Sequence, residues 1–430
     1  PTSRCLNLVR CTDASVHLRQ CHTFRDFFMH ISLRAALLAG ALVFSGAAIR
    51  AEPISLSQAL AKGTESSPRV TQAKAQADAA EARARQAGVS PNPELSIEVE
   101  NFAGSGAFQG LRSTETTLAV SQRLELGGKR SARVEVARAE RDFAFLSYKT
   151  ALADLDRDIR LAHAELRADE DRAVLARDNT AAAEELARIA KVLVDAGREP
   201  PLRQLRAEAA LAEARAEQAR TLGELLSSRR LLATLIWSDD PELSATFTDE
   251  SAPPNVPVEL PSLNEQLAIA QKNAALARVR LARANAVPDV TASGGVRRFA
   301  EGRETALVAG VSIALPFRDR NRGNIDAAQS ESLAAESATM LARIEATRVR
   351  QDARILLGAA EVRYEALAGL GISQAEEALR LTRIGYNAGK FSLLELLDVQ
   401  TALTTAKLNL IQARLDRAEA LAALIRANAL

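Results

Sequence analysis

The sequence has few of the residues from which reactive sites are built. Its 430 residues include only 3 Cys, 4 His and 1 Trp, and aromatic residues make up 4%. All three cysteines and three of the four histidines lie before residue 31, so His163 is the only histidine in the rest of the chain. Beyond residue 30 the chain therefore has no disulfide, no thiol nucleophile and no Cys/His metal cage.

A strong charge of either sign is also missing. The 55 basic and 54 acidic residues give a formal net charge of +1, which does not indicate nucleic-acid binding, because that function is marked by basic patches. Apolar residues make up 47% and charged residues 25%, the balance of a soluble protein. Much of the apolar share is alanine, and charged, Ala-rich sequence with helical periodicity predicts long, closely packed helices.

Catalytic motifs are incomplete. The segment LGGKR at residues 126–130 resembles a phosphate-binding loop but lacks its first Gly and the Ser/Thr after the Lys. The glycines at 104, 106 and 110 do not have the spacing of a dinucleotide fold. With no nucleophile, acid–base pair or metal-ligand group apparent, we expect no enzyme, no catalytic residue, no metal site and no cofactor.

The first 51 residues differ from the rest. The first Met is Met29, followed by Arg34, an apolar stretch at 35–49 and small residues before Glu52. This pattern is typical of a secretory signal peptide, and the stretch is shorter than the ~20 residues that a spanning helix needs. We predict a signal peptide at 29–51, cleaved between Ala48 and Glu52, and interpret residues 1–28 as non-native upstream sequence.

The chain repeats itself. VSQRLELGGKR begins at Val120 and VSIALPFRDRNRG at Val311, 191 residues later. VDAGREPPLRQLRAEAAL begins at Val194 and YNAGKFSLLELLDVQTAL at Tyr386, 192 residues later. The shared offset indicates a gene duplication. We predict repeat 1 at 52–250, an extended Pro-rich linker at 251–261 and repeat 2 at 262–430.

Each repeat is predicted to contain a helix, two strands, a long helix, a turn and a second long helix. Apolar and polar residues alternate at 94–102, 114–126, 289–299 and 305–317, each about as long as a membrane-spanning strand of ~9–11 residues. An ordinary half-buried hairpin is the alternative. Four strands cannot close a barrel and open edges do not survive in lipid, so membrane-spanning strands would require several chains to share one barrel.

The helical segments show coiled-coil spacing. Between Ser131 and Val194 there is no Pro or Gly, which predicts a helix on the order of 100 Å long. The steps of three and four residues predict two apolar seams: Leu152, Leu155, Ile159, Ala162 and Leu166, and Leu408, Ile411, Leu415, Ala418, Ala422 and Ile425. Gly197 and Gly389 are expected to end the outgoing helices.

The stretches NPELSIEVENF, SQRLELGGKR and YNAGKFSLLELLDVQTAL resemble the TolC family of outer-membrane efflux proteins. The first two are most similar to its heavy-metal branch, the outer component of cobalt–zinc–cadmium resistance systems. The resemblance implies a mainly α, internally duplicated protomer with a small β part. A homotrimer would form a twelve-stranded barrel in outer-membrane lipid and a coiled-coil α-barrel across the periplasm.

The resemblance also implies a function: a passive exit duct for divalent heavy-metal cations, working with a periplasmic adaptor (membrane fusion) protein and an inner-membrane, proton-driven RND pump. Two alternatives stay open from the residues, namely the same duct exporting drugs or other small molecules, and a periplasmic coiled-coil protein without a channel.

In that family the turns of the helical hairpins form the periplasmic tip, where the channel closes and the adaptor docks. The corresponding turns here are 194–206 and 386–398, and the candidate site residues are Gly197, Arg203, Arg206, Tyr386, Gly389, Glu395 and Asp398. Our hypothesis is that the two arginines and the two acidic residues alternate around the tip and close it by ion pairs. The alternative is that they face solvent or the adaptor.

The two repeats differ in length before their strands. Ser55 and Ala82 are 27 positions apart, whereas the matching Ser262 and Ala277 are 15 apart. The twelve missing residues correspond to about 18 Å of helix. We therefore expect the leading helix of repeat 2 to be shortened or displaced.

Overall fold

The structure, a computed structural model, describes residues 53–246 and 260–430. The predicted signal peptide, the upstream segment and most of the Pro-rich linker lie outside these residues. The described residues belong to one unit. None of the helices in this part of the chain has an apolar stretch long enough to cross a membrane.

The first half contains four helices and two strands. Ser55 caps the first helix by a capping box with Gln58, and Pro68 and Pro201 occupy first-turn positions, where their missing N–H groups cost nothing. The third helix is 67 residues long. In order, the elements are α1 (Leu56–Ser66), α2 (Pro68–Ala87), β1 (Glu94–Glu100), β2 (Glu115–Leu124), α3 (Lys129–Asp195) and α4 (Pro201–Leu235).

The second half repeats this order with one helix fewer at its start and a break in its long helix. Ser262 caps its first helix and Ser392 its last. The elements are α5 (Leu263–Asn285), β3 (Val290–Phe299), β4 (Thr305–Ile313), α6 (Arg322–Ala366), a π-helical segment (Leu367–Gly371), α7 (Ile372–Asn387) and α8 (Leu393–Ala427).

Three details differ from the sequence-based expectations. Among the residues that the structure describes, α1 has no counterpart in the second half, and α5 is not shortened, since it has 23 residues against 20 in α2. Strand β4 ends at Ile313 instead of residue 317, ahead of Pro316, which cannot donate to a ladder. A π-helical segment interrupts the second long helix at a site with two glycines, which favour such irregularities.

The four strands form one antiparallel sheet in the order β1-β2-β3-β4. The central pair joins the two halves, with Leu118 opposite Val296 and Leu124 opposite Val290. Both predicted hairpins are therefore present, and their edge strands β1 and β4 have no further partner in the described part of the chain.

The helices pack through the predicted seam of α3. Leu155, Ile159 and Leu166 are buried together with Leu232 and Ile236 of the α4 end, and Leu152 packs against this cluster. The α8 seam is only partly correct: Ile411, Leu415 and Ala422 are buried, whereas Leu408 is exposed.

We predict that Ile159→Ala destabilises the fold. Ile159 is fully buried and packs against Gly63, where a Cβ would lie 2.3 Å from its Cδ1. Deleting a buried aliphatic side chain costs ~2–5 kcal/mol. Denaturant unfolding of the purified protein in detergent measures this loss. Val174→Ala, at an exposed position of the same helix, is the matched control and should change stability by less than ~0.5 kcal/mol; equal losses in both variants would contradict the prediction.

Candidate functional site

One face of the sheet is apolar and open. Register brings the apolar residues of all four strands to the same side, since opposite residues share a face: Leu95 pairs with Val120, and Val296 with Leu307. Leu307 is 88% exposed and Leu95 68%. The apolar residues on this face are Leu95, Ile97, Val99, Leu118, Val120, Leu124, Val290, Val296, Leu307, Val311 and Ile313.

The other face of the sheet is polar. Arg297 forms ion pairs with Glu100 and Glu115, each at 3.0 Å, and its Nε donates to the Thr117 hydroxyl at 2.9 Å. Glu94, Ser96 and Glu98 line the same side of β1. A large exposed apolar face on one side and a charged, hydrogen-bonded face on the other fit a sheet between lipid and water.

An ion-paired junction joins the sheet to the long helices. Arg133 of α3 forms a two-pronged pair with Glu125, just beyond β2, and donates to the carbonyl oxygens of Ala87 at 2.8 Å and Val89 at 3.1 Å. Its hydrogen bond holds the pKa of Glu125 below the ordinary glutamate value. Arg133 thus holds together the end of α2, the exit of β2 and the start of α3.

A second pair ties the two halves at the same level. Lys129, the first residue of α3, lies 2.6 Å from the carboxylate of Asp289, just before β3. The turn between β2 and α3 needs Gly127, because its φ is +68° and a Cβ there would lie 2.6 Å from Val287. The charged residues of this junction are not among the site residues predicted from the sequence. Their position directly at the ends of predicted strands is the signal that could have identified them.

The two helical-hairpin turns lie together, far along the chain from the sheet. Gly197 and Gly389 have φ values of +67° and +70°, which glycine adopts readily. Arg198 N donates to Leu193 O and Lys390 N to Gly385 O, the hydrogen bonds of Schellman caps. The turns are joined by one apolar cluster: Ala187, Ala190, Ala207, Leu393 and Leu396, with Tyr386 against it.

The charged candidate residues of the tip do not pair with each other inside one protomer. Arg203 binds Glu199 at 2.6 Å instead, and burial together with Glu199 raises the pKa of Tyr386. Glu395 accepts the backbone N–H of Ser392 at 2.6 Å and closes a capping box on α8, which lowers its pKa.

Arg206 and Asp398 are both exposed. Neither forms an ion pair within residues 53–246 and 260–430. The tip therefore exposes a cation and an anion that have no ion-pair partner among the described residues.

In the described ranges no three or more His, Cys, Asp and Glu side chains are grouped so that they could hold a metal ion. His163 is buried in α3, and its Nε2 lies 3.1 Å from the carbonyl oxygen of Ile54, so it belongs to the helix packing.

The chain is similar to one family of known proteins and to several of its members. The profile of the outer membrane efflux protein family matches residues 57–236 and 261–429. The cobalt-zinc-cadmium resistance protein CzcC of Cupriavidus metallidurans is 30% identical and covers 83% of this chain and 86% of its own. The nickel and cobalt resistance protein CnrC of the same organism is 35% identical, covering 72% of this chain and 77% of its own.

A solved structure has the same fold. The outer membrane protein VceC from Vibrio cholerae superposes with a TM-score of 0.73 at 22% identity, covering 87% of this chain and 95% of that one. At this identity the similarity establishes the fold, which is the mainly helical, small-sheet architecture expected from the sequence.

We predict that Arg133→Gln loosens the junction. A hydrogen-bonded charged group contributes ~1.5–3 kcal/mol, and the variant should lose about that much unfolding free energy at pH 7. The pair stabilises the fold above the ordinary glutamate pKa of ~4.3, and this contribution is lost as the pH falls through the lowered pKa of Glu125. The difference in unfolding free energy between wild type and variant should therefore become smaller at acid pH.

The measurement is denaturant unfolding at several pH values. Arg138→Gln is the control, because Arg138 is exposed further along α3 and has no ion pair in the described part of the chain. A gap that stays constant with pH, or an equal loss in the control, would show that the pair does not act in this way.

Proposed function

The chain belongs to the outer membrane efflux protein family, and on that premise we propose that it is the exit duct for divalent heavy-metal cations in a tripartite RND-type efflux system. It is located in the outer membrane and extends into the periplasm. A periplasmic adaptor and an inner-membrane pump would deliver the cargo. No step of this function requires catalysis, so we propose that the protein is not an enzyme.

The observation that carries the duct is the two-faced, four-stranded sheet with open edges. Its exposed apolar face fits lipid, its polar face fits a water-filled lumen, and unpaired edges are not tolerated in hydrocarbon. Edges β1 and β4 are satisfied if the sheet continues into neighbouring copies. We propose a homotrimer with twelve strands, which lies within the known size range of membrane barrels.

The relatives support metal as the cargo. CzcC and CnrC carry names of resistance to cobalt, zinc, cadmium and nickel. The described residues contain no arranged group of metal ligands, and a duct does not need one, because conduction requires weak binding. We propose that the pump and the adaptor select the metal and that this chain conducts it.

The test is a clean deletion of the gene, scored for growth on Co, Zn, Cd, Ni and Cu salts and on several drugs. We expect the deletion to raise sensitivity to divalent metals several-fold, with plasmid-borne wild type restoring growth. Sensitivity to drugs alone would contradict the metal assignment and favour a drug duct. Heat-modifiable trimer bands in outer-membrane fractions test the assembly; bands of monomer alone would argue for a coiled-coil protein without a channel.

We propose further that charges at the tip help to close the duct. The candidate tip comprises Gly197, Arg203, Arg206, Tyr386, Gly389, Glu395 and Asp398. Since Arg203 and Glu395 already have partners in the protomer, Arg206 and Asp398 are the pair best able to meet across neighbouring copies. An exposed pair is worth ~0.2–1 kcal/mol, so the closure would be weak enough for an adaptor to open.

If ion pairs between neighbouring copies act as a latch at the tip, reversing the charges of Arg203 and Arg206 should raise single-channel conductance in planar bilayers and antibiotic leakage into cells. A pair worth ~1 kcal/mol corresponds to about a fivefold shift in the closed–open equilibrium. Adding Asp398→Arg to Arg206→Glu should restore closure, because the pair is re-formed with opposite polarity. Unchanged conductance and leakage in the charge-reversed variant would exclude the latch.

A further inference from the structure

Two exposed apolar side chains follow the end of β4: Leu315 is 62% exposed and Phe317 77%. They lie just beyond the paired residues of the sheet, where the Phe317 N–H donates to the Leu315 carbonyl across Pro316 at 2.9 Å. Directly after Phe317, three arginines stand within five residues, Arg318, Arg320 and Arg322. Membrane barrels carry girdles of aromatic residues at both interfaces, and basic residues near the membrane surface are attracted to anionic headgroups.

The three arginines are exposed, and none of them has an ion pair or a side-chain hydrogen bond in the residues that the structure describes. The loop that carries them is nevertheless built, since Asp319 accepts the backbone N–H of Asn321 at 2.9 Å and the Asn321 amide donates to the Ala282 carbonyl at 2.7 Å. The shape of the loop therefore does not depend on its arginines.

The equivalent exit of the first half provides an internal comparison. There the basic side chains hold the fold together: Lys129 pairs with Asp289, Arg130 donates to the Gly88 carbonyl and Arg133 pairs with Glu125. At the same place in the second half, the three arginines have no ion pair or side-chain hydrogen bond with any residue that the structure describes. Three such arginines close together repel one another, so an anionic partner would be favourable.

We propose that the β4–α6 connection is a binding site for an anionic phospholipid of the periplasmic leaflet. Phe317 and Leu315 would contact the acyl chains at the end of the apolar face, and Arg318, Arg320 and Arg322 would bind the headgroup phosphate. Arginine suits this task because its guanidinium binds phosphate through two parallel hydrogen bonds.

A neighbouring copy of the chain is the other occupant to consider. If β4 pairs antiparallel with β1 of the next copy, the segment before β1 comes nearest to the loop. That segment, residues 88–93, reads GVSPNP and has no charge. The first acidic residue is Glu94, which lies on the polar face of the sheet. Charge complementarity therefore favours lipid.

The experiment measures lipid retained by the purified, assembled protein in detergent, by native mass spectrometry during titration with phosphatidylglycerol or phosphatidylcholine. We expect the wild type to prefer phosphatidylglycerol. R318Q/R320Q/R322Q should bind it about a hundredfold more weakly, since each of the three basic residues near a lipid surface contributes about fivefold. R318K/R320K/R322K should retain most of the binding, and Phe317→Ser should weaken both lipids.

The matched control is R83Q/R343Q/R383Q, which removes the same charge from exposed helical arginines and should bind phosphatidylglycerol as the wild type does. Circular dichroism and the oligomer mass confirm that each variant is folded and assembled. Equal binding of both lipids by the wild type, or undiminished binding by the glutamine variant, overturns the proposal. Loss of the oligomer in that variant alone would assign the arginines to a neighbouring copy, and displacement of lipid by inorganic phosphate would reduce the site to a phosphate site.

Discussion

The architecture of this protein depends on one constraint: backbone N–H and C=O groups in hydrocarbon must be hydrogen-bonded. A four-stranded sheet leaves a row of unpaired N–H and C=O groups on each edge, and lipid offers them no partner. The protomer is therefore incomplete where its apolar face meets the membrane. Its other features follow from that condition: strands must be presented in register at one end, and the long helices must extend from them through water.

Ion pairs and hydrogen bonds at the junction hold the ends of the strands against the ends of the helices. Arg133 holds three chain segments at once through Glu125 and the carbonyls of Ala87 and Val89, and Lys129 with Asp289 connects the two halves. These groups lie where the chain leaves the sheet, and their pairing fixes the direction in which α3 departs. The two halves differ here, because hydrogen bonds of Asp319 and Asn321 hold the second exit, and its three arginines have no partner among the described residues.

A few small residues bring the two helical hairpins together at the tip. Alanines allow the helices to approach, two glycines with positive φ turn the chain, and a small apolar cluster joins the turns. Within the protomer the local partners Glu199 and Ser392 take up Arg203 and Glu395. Arg203 and Glu395 bind these local partners because pairing with a residue three or four positions away costs little conformational entropy. Arg206 and Asp398 have no oppositely charged residue at such a distance along the chain.

The helices, the strands and the faces of the strands can be predicted from local patterns in the sequence. The alternation in residues 94–102 and 114–126, the Pro- and Gly-free run of α3 and the glycines at 197 and 389 are such patterns, and local sterics suffice to interpret them. Which segments contact each other depends on the tertiary structure. The β2–β3 pairing, the contacts of Arg133 and the π-helical break near Gly369 could not be predicted from the period of a pattern, because contacts between distant residues depend on geometry and charge that the period does not encode. The same distinction explains the site: the turns were predictable, whereas the partners of Arg203, Glu395 and the three arginines after Phe317 depend on which side chains the fold brings within reach.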